Sequence, residues 1–211
     1  MNSNDLLSAF QKIIALSQSG LSYNPPIYDR ERYEEIRNIS FQMLAKISDV
    51  TIEQIIQLFP EDSGYVTPKV DIRAVVFRNN SELLMVQEKM DENKWTIPGG
   101  WADVGYSPFE VAEKEAWEET GLKVKAKRLL GVFDKSRHEH PHQPWYVYKF
   151  FVLCEESGGE LLQQTIETSE ASWIKFADVL ELPLSRYRVT KFQLEMMFEF
   201  AKNPDMPAYC D

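Results

Sequence analysis

The sequence predicts a mixed α/β (α+β) chain, with a small all-helical N-terminal domain over 1–62 and a strand-rich domain over 67–211. Three observations predict it. Apolar residues recur at helical spacing through the first sixty or so positions. From Val70 the texture changes to short β-rich runs such as DIRAVVF and ELLMVQE, punctuated by turn residues. Among these runs lies GGWADVGYSPFEVAEKEAWEETGL, 99–122, where a glycine turn leads into a helix dense in carboxylates.

Each element follows in order. LLSAFQKIIALSQSG carries Leu6, Phe10, Ile13, Ile14 and Leu16 on a helix expected to stop at Gly20. After the turn YNPPIYD, a second helix from Asp29 to Ile47 turns Tyr33, Ile36, Ile39, Met43 and Leu44 to one side. A shorter third, ISDVTIEQIIQLF, ends at Pro60, and so small a unit needs a partner to pack on. EDSGYVTPK reads as the linker. DIRAVVF and ELLMVQE then flank Asn79-Asn80-Ser81, a hairpin signal, and WTIP leads into the glycine turn. KAKRLLGVFDKS and PWYVYKFFVLCEE are long β-rich runs, the second followed by a Ser157-Gly158-Gly159 turn, and ASWIKF is a shorter strand. A helix from about Arg188 to Lys202 carries Phe192, Met196 and Phe200 on one stripe. The chain shows no internal repeats or low-complexity segments.

With 211 residues, 44% apolar and 12% aromatic, the chain can bury one good core plus an accessory unit. A net charge of −10 and a pI of about 4.9 argue against a bulk electrostatic binder of nucleic acid or membrane. Cys154 and Cys210 make no disulfide framework and no metal-like spacing, and Cys154 ends an apolar run as a core thiol. No signal peptide or long apolar span is read, so a cytoplasmic protein is expected.

The carboxylate helix can be built from local rules. Ser107, Pro108 and Glu110 fit a capping box with proline at the first helical position, and Gly121 supplies the left-handed stop, so the helix runs from about Pro108 to Thr120. At roughly 100° per residue, Glu115 and Glu119 lie about 40° apart, with Glu118 about 60° to the other side. Glu110, Glu113 and Trp117 point elsewhere. Carboxylates packed this closely repel and raise one another's pKa values unless a divalent cation neutralises them. Mg2+ suits such a site because it takes oxygen ligands and keeps waters for substrate phosphates. A solvated acidic face is the plain alternative, but Pro98-Gly99-Gly100 just before it lets the backbone approach a ligand closely.

The stretch resembles the signature box of the Nudix hydrolases, which cleave nucleoside diphosphates linked to another moiety, X. Gly100, Glu115, Ala116, Glu118, Glu119, Gly121 and Leu122 match the box; Tyr106 stands where the family has Glu, and Lys114 where it has Arg. In the family those two positions brace the loop against the helix. The resemblance covers about residues 67–202 and implies a Nudix-type α/β/α sandwich. The helical N-terminus with GYVTPKVDIRAVVF and PGGWADVGYSP is similar to a bacterial subgroup that includes CDP-choline and ADP-ribose pyrophosphatases. In that subgroup both departures are usual.

The resemblance implies a Mg2+-dependent pyrophosphohydrolase (with Mn2+ as an alternative metal) releasing a nucleoside monophosphate and phosphorylated X. Glu115 and Glu119 would be the main metal ligands, Glu118 would assist, and the carbonyl of Gly99 would add an oxygen. The base would be a box glutamate or one from a late loop; in QTIETSEASW we favour Glu170 over Glu167. Arg73 and Lys149, charged residues on half-buried strands, are expected to contact substrate phosphate, with cross-strand ion pairs as the alternative. Trp101 and Trp145 are candidates to stack a nucleobase, or to pack in a core or interface. His138, His140 and His142 suggest an exposed loop before a substrate contact or a zinc site. A homodimer joined through the N-terminal part is expected. The competing functions are a non-catalytic nucleotide sensor, which has no need of the intact glutamate set, and an RNA-end processing enzyme, against which the acidic balance weighs.

Overall fold

The computed structural model describes residues 3–47, 51, 53–55 and 65–211. It divides into two compact units: 1–68 together with 142–146, and 69–141 together with 147–211. The short segment 142–146, which the sequence places inside the second domain, belongs with the helices.

In the first unit α1 (Ser3–Ser22) lies against α2 (Ile27–Ile47). Leu7, Ile14, Phe41, Leu44 and Ile55 form its core. Gly20 does not end α1, which continues to Ser22. It is instead a close approach: a Cβ there would sit 2.7 Å from the Tyr33 ring. Arg37 Nη1 donates to Gln18 Oε1 at 2.7 Å across the pair, and Gln11 Nε2 donates to the Gln143 carbonyl at 2.8 Å, tying in the segment 142–146. The expected stripe on α2 is corrected. Ser40, Phe41 and Leu44 are buried, whereas Ile36 and Ile39 face solvent. The third helix expected over 47–59 falls largely outside the described residues; of it, 53–55 are helical and Ile55 is fully buried.

The second unit is built on an eight-stranded mixed sheet: β1 (Lys69–Arg78), β2 (Glu82–Glu88), β3 (Lys94–Thr96), β4 (Gly99–Trp101), β5 (Leu122–Asp134), β6 (Val147–Gly159), β7 (Thr168–Lys175) and β8 (Tyr209–Cys210). The strand order is β3-β2-β1-β6-β5-β8, with β4 on β1 and β7 on β2. The expected hairpin is present. Phe77 opposes Leu83, and Asn79 and Asn80 take the positive φ (52° and 49°) that tight turns demand. β1 runs parallel to β6, and β6 antiparallel to β5.

Alternation along β1 supplies two cores. Ile72, Ala74 and Val76 pack under α3 (Pro108–Thr120) with its Val111, Ala112 and Ala116. Val75, with Leu83 and Met85 from β2, packs under α5 (Lys191–Lys202), which follows the short α4 (Phe176–Val179). Each fully buried aliphatic or aromatic side chain contributes roughly 1.5–3 kcal/mol, so both helices are held chiefly by these faces. The result is the expected α/β/α layering.

Two local expectations change. Ser157, Gly158 and Gly159 end β6 instead of turning, paired with Leu122 and Lys123 across a bulge that the glycines' positive φ accommodates. On α5 the buried residues include Leu194, Met197, Phe198 and Ala201 beside Phe200, while Phe192 is exposed. The stripe Phe192-Met196-Phe200 drifts by about 40° per step, so its outer end leaves the core. Cys154 is buried and reduced, as expected.

Candidate active site

β4 and α3 make the site. The capping box forms as expected: Ser107 Oγ accepts from Glu110 N, and Glu110 Oε2 from Ser107 N at 2.7 Å. Gly121 caps the other end at φ 76°. β4 pairs with β1 (Arg73 opposite Gly99), which lays the two glycines under the helix. Gly99 N donates to Glu119 Oε2 at 2.9 Å. Gly100 lies against Glu115, where a Cβ would come within 2.9 Å of Oε2. At Gly99, a Cβ would meet the Ile72 carbonyl at 2.0 Å, and φ is +148°. Both glycines are therefore required by closeness, here to the Ile72 carbonyl and the Glu115 carboxylate, where the sequence expects a close approach to a ligand.

Glu115 and Glu119 are brought together on this strand, and Glu118 turns aside. Its Oε2 accepts from Lys114 Nζ at 2.8 Å and it is 44% exposed. Among the described residues no three His, Cys, Asp or Glu side chains gather as a ready metal-ligand set. Burial raises the Glu119 carboxyl well above its ordinary pKa, and nearby Glu88 adds to this against the opposing Arg73 and the Gly99 amide. Burial also raises Glu115, opposed first by Lys114. The carboxylates of buried Glu119 and half-buried Glu115 beside β4 are hard oxygen donors, a donor type that suits Mg2+ or Mn2+. Lys114 also restores a brace between loop and helix, its Nζ lying 3.5 Å from Asp103 Oδ2. Thus the loop acid stands at 103 here, while Tyr106 is exposed.

Arg73 and Lys149 are not open to a ligand in this structure. Arg73 Nε and Nη2 donate to the two oxygens of Asp71 at 2.7 Å each, and Nη1 donates to the Ile97 carbonyl at 3.1 Å. Lys149 Nζ is 2.8 Å from Asp71 Oδ1 and fully buried. Ion pairs with Asp71 replace the expected phosphate contact for both: Arg73 reaches it along the same face of β1, and Lys149 across the strands from the opposite register position. Burial would raise the Asp71 carboxyl, but Arg73 and Lys149 hold it well below the usual range. Burial pushes the Lys149 ammonium down to about 7 and that of Lys135 to about 8, each against the pull of Asp71.

Glu170 is likewise displaced. It lies within β7 opposite Gln87, its Oε1 accepting from Ser172 Oγ at 2.9 Å, on the face that carries Met85 and Leu83. Glu119, on α3, lies across the sheet. Glu167 sits instead at the end of β2: its carbonyl accepts from Lys89 N at 3.1 Å, and its charge raises the neighbouring Glu88. Glu88 itself, 5% exposed, went unremarked in the sequence, as did its partner Arg188, whose Nε is 3.0 Å from Glu88 Oε1. The available signal was an acid ending an otherwise apolar strand.

The histidines do not converge. His138 Nε2 is 2.9 Å from Asp211 Oδ2 and its ring stacks on Phe192, whereas His140 Nδ1 pairs with the Arg186 carbonyl at 2.6 Å. Burial and the Lys149 charge push the His140 imidazole down to about 3, which keeps it neutral. His142 and Trp145 belong to the helical unit. Trp101 is 45% exposed at the end of β4.

The NUDIX domain profile matches residues 67–195. The chain belongs to the Nudix family. Residues 4–59 match a second profile, the UDP-X-like N-terminal oligomerisation domain. Among relatives, a candidate ADP-ribose pyrophosphatase of Bacillus subtilis (strain 168), YjhB, is 42% identical over 97% of this chain and 96% of its own. The crystal structure of a UDP-X diphosphatase is similar over 100% of both chains at 33% identity and a TM-score of 0.62. That of an ADP-ribose pyrophosphatase from Streptococcus suis 89-1591 covers 69% of this chain and 100% of its own at 34% identity, with a TM-score of 0.60. The Nudix box therefore sits in a chain whose two parts both have counterparts among pyrophosphatases. No helix among the described residues is long and apolar enough to cross a membrane.

Proposed function

We propose that this Nudix protein hydrolyses the pyrophosphate bond of a nucleoside diphosphate linked to X, of the ADP-ribose or UDP-X type, in the cytoplasm. Water adds to one phosphorus, the bridging oxygen leaves with the other phosphate, and a nucleoside monophosphate and phosphorylated X are released. The observation that carries this reading is the pairing of buried Glu119 and half-buried Glu115 against Gly99 and Gly100. A bound Mg2+ or Mn2+ would neutralise the diphosphate and lower the pKa of an attacking water. Glu115, Glu119 and the Gly99 carbonyl would hold it, with Glu118 assisting once released by Lys114. Glu167, beside Glu88 at the end of β2, takes the place of Glu170 as the late-loop candidate to accept the water's proton. Trp101, 45% exposed at the end of β4, would stack the base, while Arg73 and Lys149 would stiffen β1 beside it through Asp71. The relatives' names favour ADP-ribose and UDP-linked substrates over CDP-choline.

The test is a substrate panel with purified protein and Mg2+: ADP-ribose, a UDP-sugar, CDP-choline, a dinucleoside polyphosphate and a nucleoside triphosphate. One diphosphate-linked substrate is expected to be hydrolysed far faster than the rest. Turnover confined to the triphosphate, or none with nucleotide binding retained, would sink the reading.

The protein is further proposed to be a homodimer joined through α1 and α2. Leu16, Ile27, Tyr28, Ile36 and Ile39 are exposed there, an apolar surface that a second copy would cover. Light scattering at micromolar concentration is expected to give twice the chain mass, and a monomeric mass would refute it.

A further inference from the structure

With Arg73 and Lys149 closed around Asp71, a substrate diphosphate must find its protein cation elsewhere. Backbone pairing puts one beside the carboxylates. Trp95 N donates to the Pro183 carbonyl and Ser185 N to the Trp95 carbonyl, both at 2.8 Å, so the loop before α5 is stitched to β3. In turn, β3 pairs with β2, with Glu88 opposite Lys94. Arg188, at the end of that loop, therefore falls against Glu88. Its Nε is 3.0 Å from Glu88 Oε1, and its Nη1 is 3.4 Å from Ser185 Oγ and 3.8 Å from Asp91 Oδ2. Nη2 has no partner among the described residues. The Arg188 side chain is 26% exposed, against 3% for Arg73 and 0% for Lys149.

Glu88 connects this guanidinium to the candidate metal carboxylates. Across the strands it faces Thr168, whose hydroxyl donates to the Glu119 carbonyl at 2.9 Å. Arg188 thus lies on the side of the site formed by β2 and β3, linked through Glu88 and Thr168 to the backbone of Glu119.

We propose that Arg188 is a diphosphate-binding residue, held in place beside the carboxylate site by Glu88. The proposal rests on the reading that the substrate is a nucleoside diphosphate linked to X. A guanidinium is planar, permanently charged and forked, and so matches phosphate oxygens two at a time. Nε remains on Glu88, which fixes the plane and leaves Nη2 to donate to a phosphate oxygen, with Nη1, 3.4 Å from Ser185 Oγ, available to a second. Glu88 also keeps the cation satisfied before substrate arrives, so no unpaired charge is left half-buried. A purely structural ion pair would need Glu88 and Arg188 but would be indifferent to diphosphate.

The experiment uses the full chain and methylenediphosphonate, whose P–C–P bridge cannot be hydrolysed. Its affinity in the presence of Mn2+ is measured by calorimetry for wild type, Arg188→Gln and Arg188→Lys, with Mn2+ binding alone followed by electron paramagnetic resonance. Losing a charge-assisted forked contact is expected to weaken diphosphonate binding at least roughly tenfold in Arg188→Gln. Arg188→Lys, which keeps the charge without the fork and guards against a folding defect, is expected to fall between. Mn2+ affinity should not weaken in either. Unchanged diphosphonate affinity with a lowered melting temperature would mean a structural ion pair and overturn the proposal, as would a wild type that binds no diphosphonate with Mn2+. A wild type that binds it through Arg188 yet turns over nothing in the substrate panel would retire the hydrolase reading alone.

Discussion

Glu119→Gln is expected to cut turnover of the preferred substrate by roughly a thousandfold or more, because stabilisation by a correctly held metal is worth several kcal/mol and each 1.4 kcal/mol is tenfold. The same variant should fold at least as well as wild type. Glu119 is 3% exposed, and burial together with Glu88 already disfavours its ionised form. A neutral amide removes that penalty and can still accept from Gly99 N, which now donates at 2.9 Å. The melting temperature should therefore hold or rise. Added Mn2+ should separate the two proteins. A ligand at a hundred times its Kd stabilises the native state by about 2.7 kcal/mol, so wild type should melt higher in Mn2+ and the variant should not. Turnover close to wild type would remove Glu119 from the metal site.

Asp71→Asn is expected to be the most damaging single charge change for stability. It takes from the Arg73 guanidinium and the Lys149 ammonium, 2% and 0% exposed, the carboxylate that both contact directly. Breaking a buried pair on one side costs roughly 3–5 kcal/mol, which for a chain of this size is on the order of 10 °C in melting temperature. The pH dependence has a definite sign. Burial would raise the Asp71 carboxyl, but its two cationic partners hold it far below the ordinary value. A depressed folded-state pKa stabilises above the unfolded aspartate value near 3.9, and the gain is lost as pH falls below it. The stability gap between wild type and variant should thus be full near pH 5–6, shrink below about pH 4, and narrow as pH rises through about 7, where Lys149 gives up its charge. Denaturation measured from pH 3 to 8 tests this, and a gap independent of pH would show that Asp71 is not the counter-charge.

The parts of the site that the sequence made legible are those governed by neighbours along the chain. Ser107 and Glu110 close the capping box, and Gly121 takes the left-handed turn; the backbone meets Glu115 and Glu119 at Gly100 and Gly99 as the box implied. The failures share a different cause. Arg73 and Lys149 are charged positions on strands; Asp71 shares a face with Arg73 by alternation along β1, but only the parallel register of β1 with β6 brings Lys149 to the same carboxylate. Glu170 and Glu167 are three residues apart, and only the β7 bulge and its pairing with β2 decide which one faces Glu88. On α2 and α5 helical spacing admits more than one apolar stripe, and what packs against each helix selects among them. Ile36, Ile39 and Phe192 are left outside for that reason.

The sequence alone determined most of the helix–strand order, the capped carboxylate helix and the family resemblance, since these rest on contacts within a few residues or on a contiguous motif. Gly99 and Gly100, read as a turn, instead form β4 with Trp101 by pairing with β1. Tertiary structure alone decided how charge is distributed around that helix. It buried Asp71 with Arg73 and Lys149, turned Glu118 to Lys114, and brought Glu88 and Arg188 to the edge of the site from opposite ends of the domain. Pairing energies between charges depend on separation and burial, and both are fixed only when distant strands come into register.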